Sequence, residues 1–210
     1  MKFFITYGWH ALLAAVIGEM VVPLLLAPFY KGYRSTAMAI SALGNKSSPV
    51  RVPFNIWMLL AGILLLSSTP ALYAAYLSIS GTLALASALC VAIFAVGACI
   101  FSCFFSVNET KDIVTTASKI HGAASATGFL LLLPVPLFLA ILSFRTSQTL
   151  AEALSAICFV LALLFFALFI MADKPGLPRS IVTKEGLWQR LNLFFLYLPL
   201  GYIAASNIFG

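Results

Sequence analysis

Charged side chains are the first thing that this sequence lacks. Only 9% of its 210 residues are Asp, Glu, Lys or Arg, and the acidic ones number six. Hydrophobic residues make up 62% of the chain, and its mean hydropathy is +1.08. A soluble domain of this length could not hide so much apolar surface, so the composition excludes an ordinary soluble fold. The bilayer is the solvent that the composition predicts.

Motifs for nucleotide, haem and metal binding are also missing. The sequence contains no Walker loop, no dinucleotide fingerprint, no CxxCH haem attachment and no CxxC pair. Its only two histidines, His10 and His121, fall towards opposite ends of predicted spans, which argues against a two-histidine site. We therefore predict no metal site and no cofactor. Nucleic-acid binding is not expected either, because membrane topology explains the basic balance.

Cysteine is scarce and is confined to apolar runs. Cys99 and Cys103 share a helix face at i, i+4 spacing, whereas Cys90 points roughly the opposite way from Cys99. Cys158 lies in a separate run. We expect all four to be small packing residues rather than ligands.

Long apolar runs are what the sequence does have. Each reaches the length of about 20 residues that a membrane-spanning helix needs. They cover about 6–29, 54–77, 81–106, 122–143, 151–172 and 189–209. The sequence thus predicts an all-α fold, a polytopic bundle of six transmembrane helices that forms a single domain over residues 1–210. An even number of spans places both termini on one side.

Basic residues predict which side that is. Ten of the twelve fall in connectors one, three and five: Lys31, Arg34, Lys46, Arg51, Lys111, Lys119, Lys174, Arg179, Lys184 and Arg190. Only Lys2 and Arg145 fall on the other side. By the positive-inside rule, these connectors face the cytoplasm and both termini face outwards. Trp57 and Trp188 then lie at cytoplasmic helix ends, as interfacial rings do. We expect a prokaryotic inner membrane, with anionic lipids on the cytoplasmic leaflet as partners.

The first connector is the longest polar stretch between apolar runs. Gly44 and Asn45 form a turn signal, Ser47-Ser48-Pro49 forms a second, and Pro53 is suited to the first turn of a helix. This pattern predicts a structured double turn against the membrane face.

Three segments resemble a known family. They are "MAISALGNKSSPVRVPFNIWMLLAGILLL", "KIHGAASATGF" and "GLWQRL", and they are similar to six-helix membrane proteins catalogued as domain of unknown function 998. The resemblance implies a fold and not a reaction. Carried over position by position, it highlights Ser41, Gly44, Pro49, Asn55, His121 and Arg190. Where it leads us to expect an acid beside the arginine, this chain has Gln189.

All three segments fall at the same predicted membrane face. Their polar groups could converge on one basic mouth that opens to the cytoplasm: Ser41, Asn45, Arg51, Asn55, His121, Gln189, Arg190 and Asn192. Of these, Ser41, Asn45, Arg51, Asn55, His121 and Arg190 are the predicted ligand-binding residues. Arg51 and Arg190 suit an anionic head group, with His121 as donor or titrating switch. The alternative is that these groups only cap helix ends and satisfy each other.

Glu19 is the ionisable residue that falls deepest in a predicted span. A charge there is expensive, so we expect it to be neutral, hydrogen-bonded to Ser67, Ser68 or Thr69, or facing a watery cavity. Functional and structural roles both stay open for it.

Prolines and small residues shape the predicted bundle. Pro23, Pro70, Pro134, Pro136 and Pro199 fall inside spans, where kinks can open a polar cavity. Gly122 with Ala126, and Ala124 with Gly128, allow the fourth helix to approach another closely.

Three functions compete on this evidence. We favour an integral membrane binding or accessory protein that accommodates a lipid or amphiphile, or docks on a larger membrane complex. The alternative is a membrane-embedded enzyme acting on lipid head groups, with His121 as acid or base and Ser41 or Ser47 nearby. No GxSxG or HExxH motif supports it, so a non-enzymatic role is preferred. A small carrier that uses Glu19 is the third.

Overall fold

The computed structural model describes residues 2–108, 113–172 and 184–210. Within these ranges the chain is helical apart from its connectors, and it contains no β-strand. Its α-helices are α1 (Lys2–Leu26), α2 (Arg51–Tyr76), α3 (Gly81–Phe94), α4 (Phe101–Phe104), α5 (Thr116–Leu132), α6 (Val135–Arg145), α7 (Thr149–Ala172) and α8 (Glu185–Phe209). Short 3₁₀ turns cover Ala27–Phe29 and Ile40–Gly44, and a π-helical segment, Ala95–Ile100, joins α3 to α4.

Six spans of the described chain are long and apolar enough to cross a membrane. They are Lys2–Phe29, Arg51–Tyr76, Gly81–Phe104, Thr116–Arg145, Thr149–Ala172 and Glu185–Phe209. The six-span, all-α prediction is confirmed. The fourth span begins at Thr116, before its apolar run, because its polar first turn is capped. In the fourth span, the Ser118 amide donates to Thr115 Oγ1 at 3.2 Å, and the Thr115 amide donates to Ser118 Oγ at 3.0 Å.

The spans form a ring in chain order. α1 packs against α2 and α8, α2 against α3, α3 against α5 and α6, α6 against α7, and α7 against α8. Consecutive spans are antiparallel, so the span ends that flank connectors one, three and five lie at one end of the ring, which we call the connector end. Both termini lie at the opposite, terminal end. Large apolar side chains fill the ring between these ends, among them Leu12, Leu65, Phe94, Leu139 and Leu196.

Two interruptions divide the third and fourth spans. The fourth is broken at Leu133-Pro134, because Pro134 and Pro136 have no amide hydrogen to continue the helical ladder. In the third, the π-helical segment replaces one regular turn. Gly62 of α2 packs on this segment, and a Cβ there would lie 3.0 Å from the Ala95 carbonyl oxygen.

Candidate functional site

A cavity of about 930 Å³ occupies the connector end of the ring. Apolar side chains from five of the six spans make up most of its wall. Its polar lining residues are Glu19, Ser41, Ser102, Asn108, Ser118, Lys119, His121, Ser125, Glu185 and Gln189. Ligand sites in proteins typically enclose about 300–1,000 Å³ and combine apolar walls with a few polar groups. This cavity has the size and lining of such a site.

The break in the fourth span creates the cavity. On the C-terminal side of Pro134, α6 packs against α7 and α8. On its N-terminal side, α5 packs on α3 and on the π-helical segment and makes no comparable contact with α7 or α8. A cleft therefore separates α5 from α7. Phe129 and Phe169 face each other across it, with ring centroids 6.1 Å apart. Leu130 and Ile170 line the cavity at this cleft and remain exposed, so the cavity opens towards the lipid-facing side of the bundle.

Small residues seat α5 on the third span. A Cβ at Gly97 would lie 2.5 Å from the Ala124 carbonyl oxygen, and one at Gly128 would lie 3.2 Å from Ala98. The predicted close approach is confirmed for Ala124 and Gly128. Gly122 is different, because a Cβ there would meet nothing within 4 Å and the residue lines the cavity. The first glycine of this small-residue segment thus leaves the cavity open instead of packing a helix.

Glu19 lies at the inner part of the cavity and is only 5% exposed. Its Oε1 accepts a hydrogen bond from Trp57 Nε1 at 3.0 Å, and Tyr197 Oη donates to its Oε2 at 3.4 Å. Gly18 makes room for the indole, because a side chain there would overlap the Trp57 ring. Tyr197 is the middle residue of α8, which agrees with the predicted depth of Glu19.

The predicted hydroxyl partners of Glu19 are wrong. Ser67, Ser68 and Thr69 donate to carbonyl oxygens three or four residues earlier in their own helix, at 2.7–2.9 Å. Such back-bonding satisfies a hydroxyl locally in an apolar setting. The donors Trp57 and Tyr197 were not predicted. Trp57 was interpreted only as an interfacial residue, and nothing near Tyr197 in the sequence indicates a contact with Glu19. The available signal was that a buried indole N–H or phenol O–H needs a partner.

His121 lies in the second turn of α5, at the edge of the cavity, and is buried. Its Nδ1 is 2.8 Å from the Phe105 carbonyl oxygen, which can only accept. Nδ1 therefore carries the hydrogen, and in the neutral ring Nε2 is left as an acceptor. This geometry gives His121 the character of a base or hydrogen-bond acceptor towards the cavity. It also fastens the end of the third span to the start of the fourth.

Four residues fasten the first connector to the start of α8, and we call them the connector lock: Tyr33, Gly186, Gln189 and Arg190. Arg190 donates to the carbonyl oxygens of Ser35, Met38 and Gly186 and to Tyr33 Oη, the last at 2.7 Å.

The remaining members of the connector lock complete its contacts. Gln189 Oε1 accepts from the Ile40 amide at 2.7 Å. Gly186 packs so closely on the backbone of Ser35 and Met38 that no side chain fits there. The lock holds residues 37–42 in place. These residues line the connector-end side of the cavity, and we call them its roof.

Tyr33 connects Arg190 of α8 to the backbone of the first connector. It accepts from Arg190 and donates to the Ala39 carbonyl oxygen at 3.1 Å. Burial raises the pKa of Tyr33, while the Arg190 guanidinium beside it lowers that pKa to a smaller extent. The net rise keeps the phenol protonated at neutral pH, so it can serve as donor and acceptor at once.

The predicted double turn of the connector is confirmed. Asn45 Oδ1 accepts from the amide and the hydroxyl of Ser47, each at 3.0 Å, and Ser48 Oγ accepts from the Val50 amide at 3.3 Å. Asn45 Nδ2 donates to Tyr30 Oη at 3.2 Å. These Asx and Ser turns lead the chain into α2.

Gly44 and Asn55, which the family resemblance highlights, pack against each other. A Cβ at Gly44 would lie 2.8 Å from Asn55 Oδ1. That oxygen is buried and has no hydrogen-bond partner within the described ranges. The pair fixes how closely the connector approaches α2.

The cavity collects only some of the predicted site residues. Ser41, His121 and Glu19 line it, and Asn45, Arg51, Asn55 and Arg190 do not. Arg190 is already bonded to backbone carbonyls, and the Arg51 side chain has no hydrogen bond or ion pair within the described part of the chain. Asn192 is fully buried and donates to the Ala162 carbonyl oxygen at 2.8 Å. The anionic head group between Arg51 and Arg190 stays a prediction.

Other predicted residues take structural or unassigned places. The four cysteines are free thiols, and Cys99 and Cys158 are buried in the bundle. Among the described residues, no group of three or more His, Cys, Asp or Glu could hold a metal ion. Lys111, Lys174 and Arg179, counted in the predicted charge asymmetry, lie outside the described residues.

A smaller pocket of about 220 Å³ lies at the terminal end. Tyr76, Thr146, Gln148, Tyr202, Ser206 and Asn207 supply its polar lining. Its described lining offers hydroxyls and amides but no Asp, Glu, His, Lys or Arg. No predicted site residue lines it.

The family profile described as "Protein of unknown function (DUF998)" matches residues 12–206. The match covers most of the chain, and the protein belongs to this family. Comparisons with curated proteins and with solved structures give no match.

Proposed function

We propose that the protein binds a membrane amphiphile, whose apolar part enters the connector-end cavity through the cleft between α5 and α7. One observation carries this proposal: a largely apolar cavity of about 930 Å³ that opens towards the lipid-facing side of the bundle. A soluble substrate would have to desolvate into such a wall without compensation, whereas an acyl or aromatic group gains from burial.

The polar groups at the mouth favour an amphiphile over a plain hydrocarbon. Ser41, Ser118, Lys119 and His121 lie at the connector-end edge of the cavity, where a head group at the membrane surface would reach them. His121 Nε2 can accept a hydrogen bond from such a group. In this proposal the connector end faces the cytoplasm, since described basic residues such as Lys46, Arg51 and Lys184 lie there. Those at the surface attract anionic lipid around the bundle, independently of what the cavity holds.

Gly122→Leu tests the proposal. The new side chain enters open space in the cavity, so it competes with a ligand without displacing any helix. Replacing a helical glycine also removes a helix-destabilising residue, so folding is preserved. Native mass spectrometry of the gently solubilised protein should show a bound amphiphile in the wild type and a drop of about tenfold or more in the variant.

Ala123→Leu is the matched control. Ala123 is the next residue of α5, is exposed and does not line the cavity. It should keep wild-type occupancy. Equal occupancy in Gly122→Leu and the wild type would overturn the cavity as the binding site. A tightly held protein partner with no amphiphile would favour the accessory role instead.

The enzymatic alternative has one observation in its favour, because His121 and Ser41 line the same cavity. It predicts that His121→Ala abolishes turnover of a bound lipid while the bundle stays folded. Lipid recovered chemically unchanged from the wild type and from His121→Ala would remove this alternative and leave binding.

A further inference from the structure

The cavity contains a buried acid without a cation. Glu19 lines it and is bonded to Trp57 and Tyr197, both neutral donors. No Lys, Arg or His is bonded to it among the described residues. A carboxylate offers about four acceptor positions, so two remain for a ligand. Acids inside a bundle normally pair with a cation or serve a ligand, and the described residues supply no cation that is bonded to Glu19.

Aromatic rings lead from this acid to the lipid-facing opening. Tyr197 packs edge-to-face on Phe94 at 6.0 Å between centroids, Phe94 on Phe129 at 5.4 Å, and Phe129 lies 6.1 Å from Phe169 at the cleft. Phe94, Phe129 and Phe169 all line the cavity. We call these four rings the aromatic path. Aromatic faces attract cations, and the attraction is strongest where water is absent.

Anionic, neutral and cationic amphiphiles are not equally suited to the interior of this cavity. An anionic group would meet Glu19 at the inner end, where the described lining offers no Lys or Arg, because Lys119 lies exposed at the mouth. A neutral group would gain from the apolar wall but would leave the acid unused. A cationic group would gain from the wall, from the ring faces and from the counter-charge.

We propose that the cavity selects lipophilic cations such as hydrophobic amines, which enter along the aromatic path and place their positive charge beside Glu19. This inference rests on the proposed function, which it narrows to one ligand class.

A pair of probes of similar shape and opposite charge tests it. Tetraphenylphosphonium and tetraphenylborate are each titrated against the protein in nanodiscs of zwitterionic lipid, with empty nanodiscs subtracted. The wild type should bind the phosphonium saturably and at least tenfold more tightly than the borate. Glu19→Gln should weaken the phosphonium by about tenfold or more, because the amide still accepts from Trp57 but carries no charge.

A labelling experiment keeps the proposal falsifiable if Glu19→Gln does not fold. Dicyclohexylcarbodiimide modifies carboxyl groups in apolar surroundings, and bound phosphonium should slow its addition to Glu19 in the wild type, as read by peptide mass. Ala123→Leu serves again as the control and should bind as the wild type does.

Each outcome has a separate meaning. Equal binding of the two probes, full phosphonium affinity in Glu19→Gln, or undiminished labelling would overturn the selectivity for cations. A co-purifying neutral or anionic lipid that Gly122→Leu expels would still support amphiphile binding in that case. Loss of neither probe nor lipid in Gly122→Leu would overturn both proposals.

Discussion

The two ends of the bundle are built from the same six spans and differ in how those spans close. At the terminal end the joints are short, α6 fills the ring between α3, α7 and α8, and the enclosed pocket is about 220 Å³. At the connector end α5 leaves α7 and α8, a 21-residue connector covers the opening, and the cavity is about 930 Å³. Pro134 marks the point where one arrangement becomes the other. A cavity of this size can therefore be made by bending one helix of a packed ring.

The difference also shows how the open end is stabilised. The closed end depends on side-chain packing along the spans, whereas the open end depends on hydrogen bonds and close backbone contacts in the connector lock. Substitutions in the lock should therefore affect the open end most, and the following predictions proceed from the largest effect to the smallest.

Gly186→Leu should have the largest effect on stability. Its side chain would have to displace the backbone of Ser35 and Met38, and overpacking of this kind costs about 3 kcal/mol. We expect a lower unfolding free energy in micelles and a loosened connector. Gly122→Leu is the matched control and should leave stability unchanged or raise it by up to about 1 kcal/mol, because it replaces a helical glycine without a clash. Similar stabilities for both leucine variants would mean that the lock does not stabilise the connector end.

Arg190→Ala should release the roof of the cavity. It removes four part-buried hydrogen bonds of a charged donor, including those to the Ser35 and Met38 carbonyl oxygens, and should lower stability by about 2 kcal/mol. Amides of residues 33–44 should exchange hydrogen faster, while the terminal-end joint around 146–148 should not change. Arg190→Lys should recover only part of the protection, because an ammonium cannot reproduce the planar fork. Arg51→Ala is the control, and an equal increase in exchange there would contradict the assignment.

Trp57→Phe should have an intermediate effect, because it removes one hydrogen bond to a buried acceptor. The ring is largely kept, but the N–H that binds Glu19 is lost, which lowers stability by about 1 kcal/mol. A double-mutant cycle with Glu19→Ala, which removes the acceptor that Glu19→Gln keeps, isolates the shared contact. A coupling energy of zero would show that this hydrogen bond does not contribute to stability.

Ser147→Gly should have the smallest effect and the opposite sign. Ser147 lies in the terminal-end joint with φ of 57°, a left-handed conformation that glycine adopts more easily. We expect a gain of about 0.5 kcal/mol with no change in ligand occupancy. A change in occupancy would mean that the two ends are coupled.

Much of the architecture could be predicted from the sequence. Apolar run length fixed the number of spans, turn residues such as Asn45 and Ser48 predicted the structured connector, and Ala124 with Gly128 predicted a close helix contact. These features depend on local chemistry, which a sequence shows directly.

The site was harder to predict because its contacts join distant parts of the chain. Gln189 and Arg190 bind residues about 150 positions away, and their carbonyl acceptors belong to every residue type. The cavity itself depends on the direction in which α5 bends at Pro134, and a proline in the sequence indicates a bend without its direction. Tyr197 faces Glu19 only because α1 and α8 close the ring.

The π-helical segment has a consequence for the third span. A π turn accommodates one residue more than an α turn, so residues after Ile100 are shifted in rotational phase relative to those before Ala95. Deleting a single residue here would restore a regular helix and rotate Phe101–Phe104 by about 100° around its axis. The Phe105 carbonyl would then turn away from His121, and Ser102 would leave Ser125. A single inserted residue thus sets the alignment between the third and fourth spans.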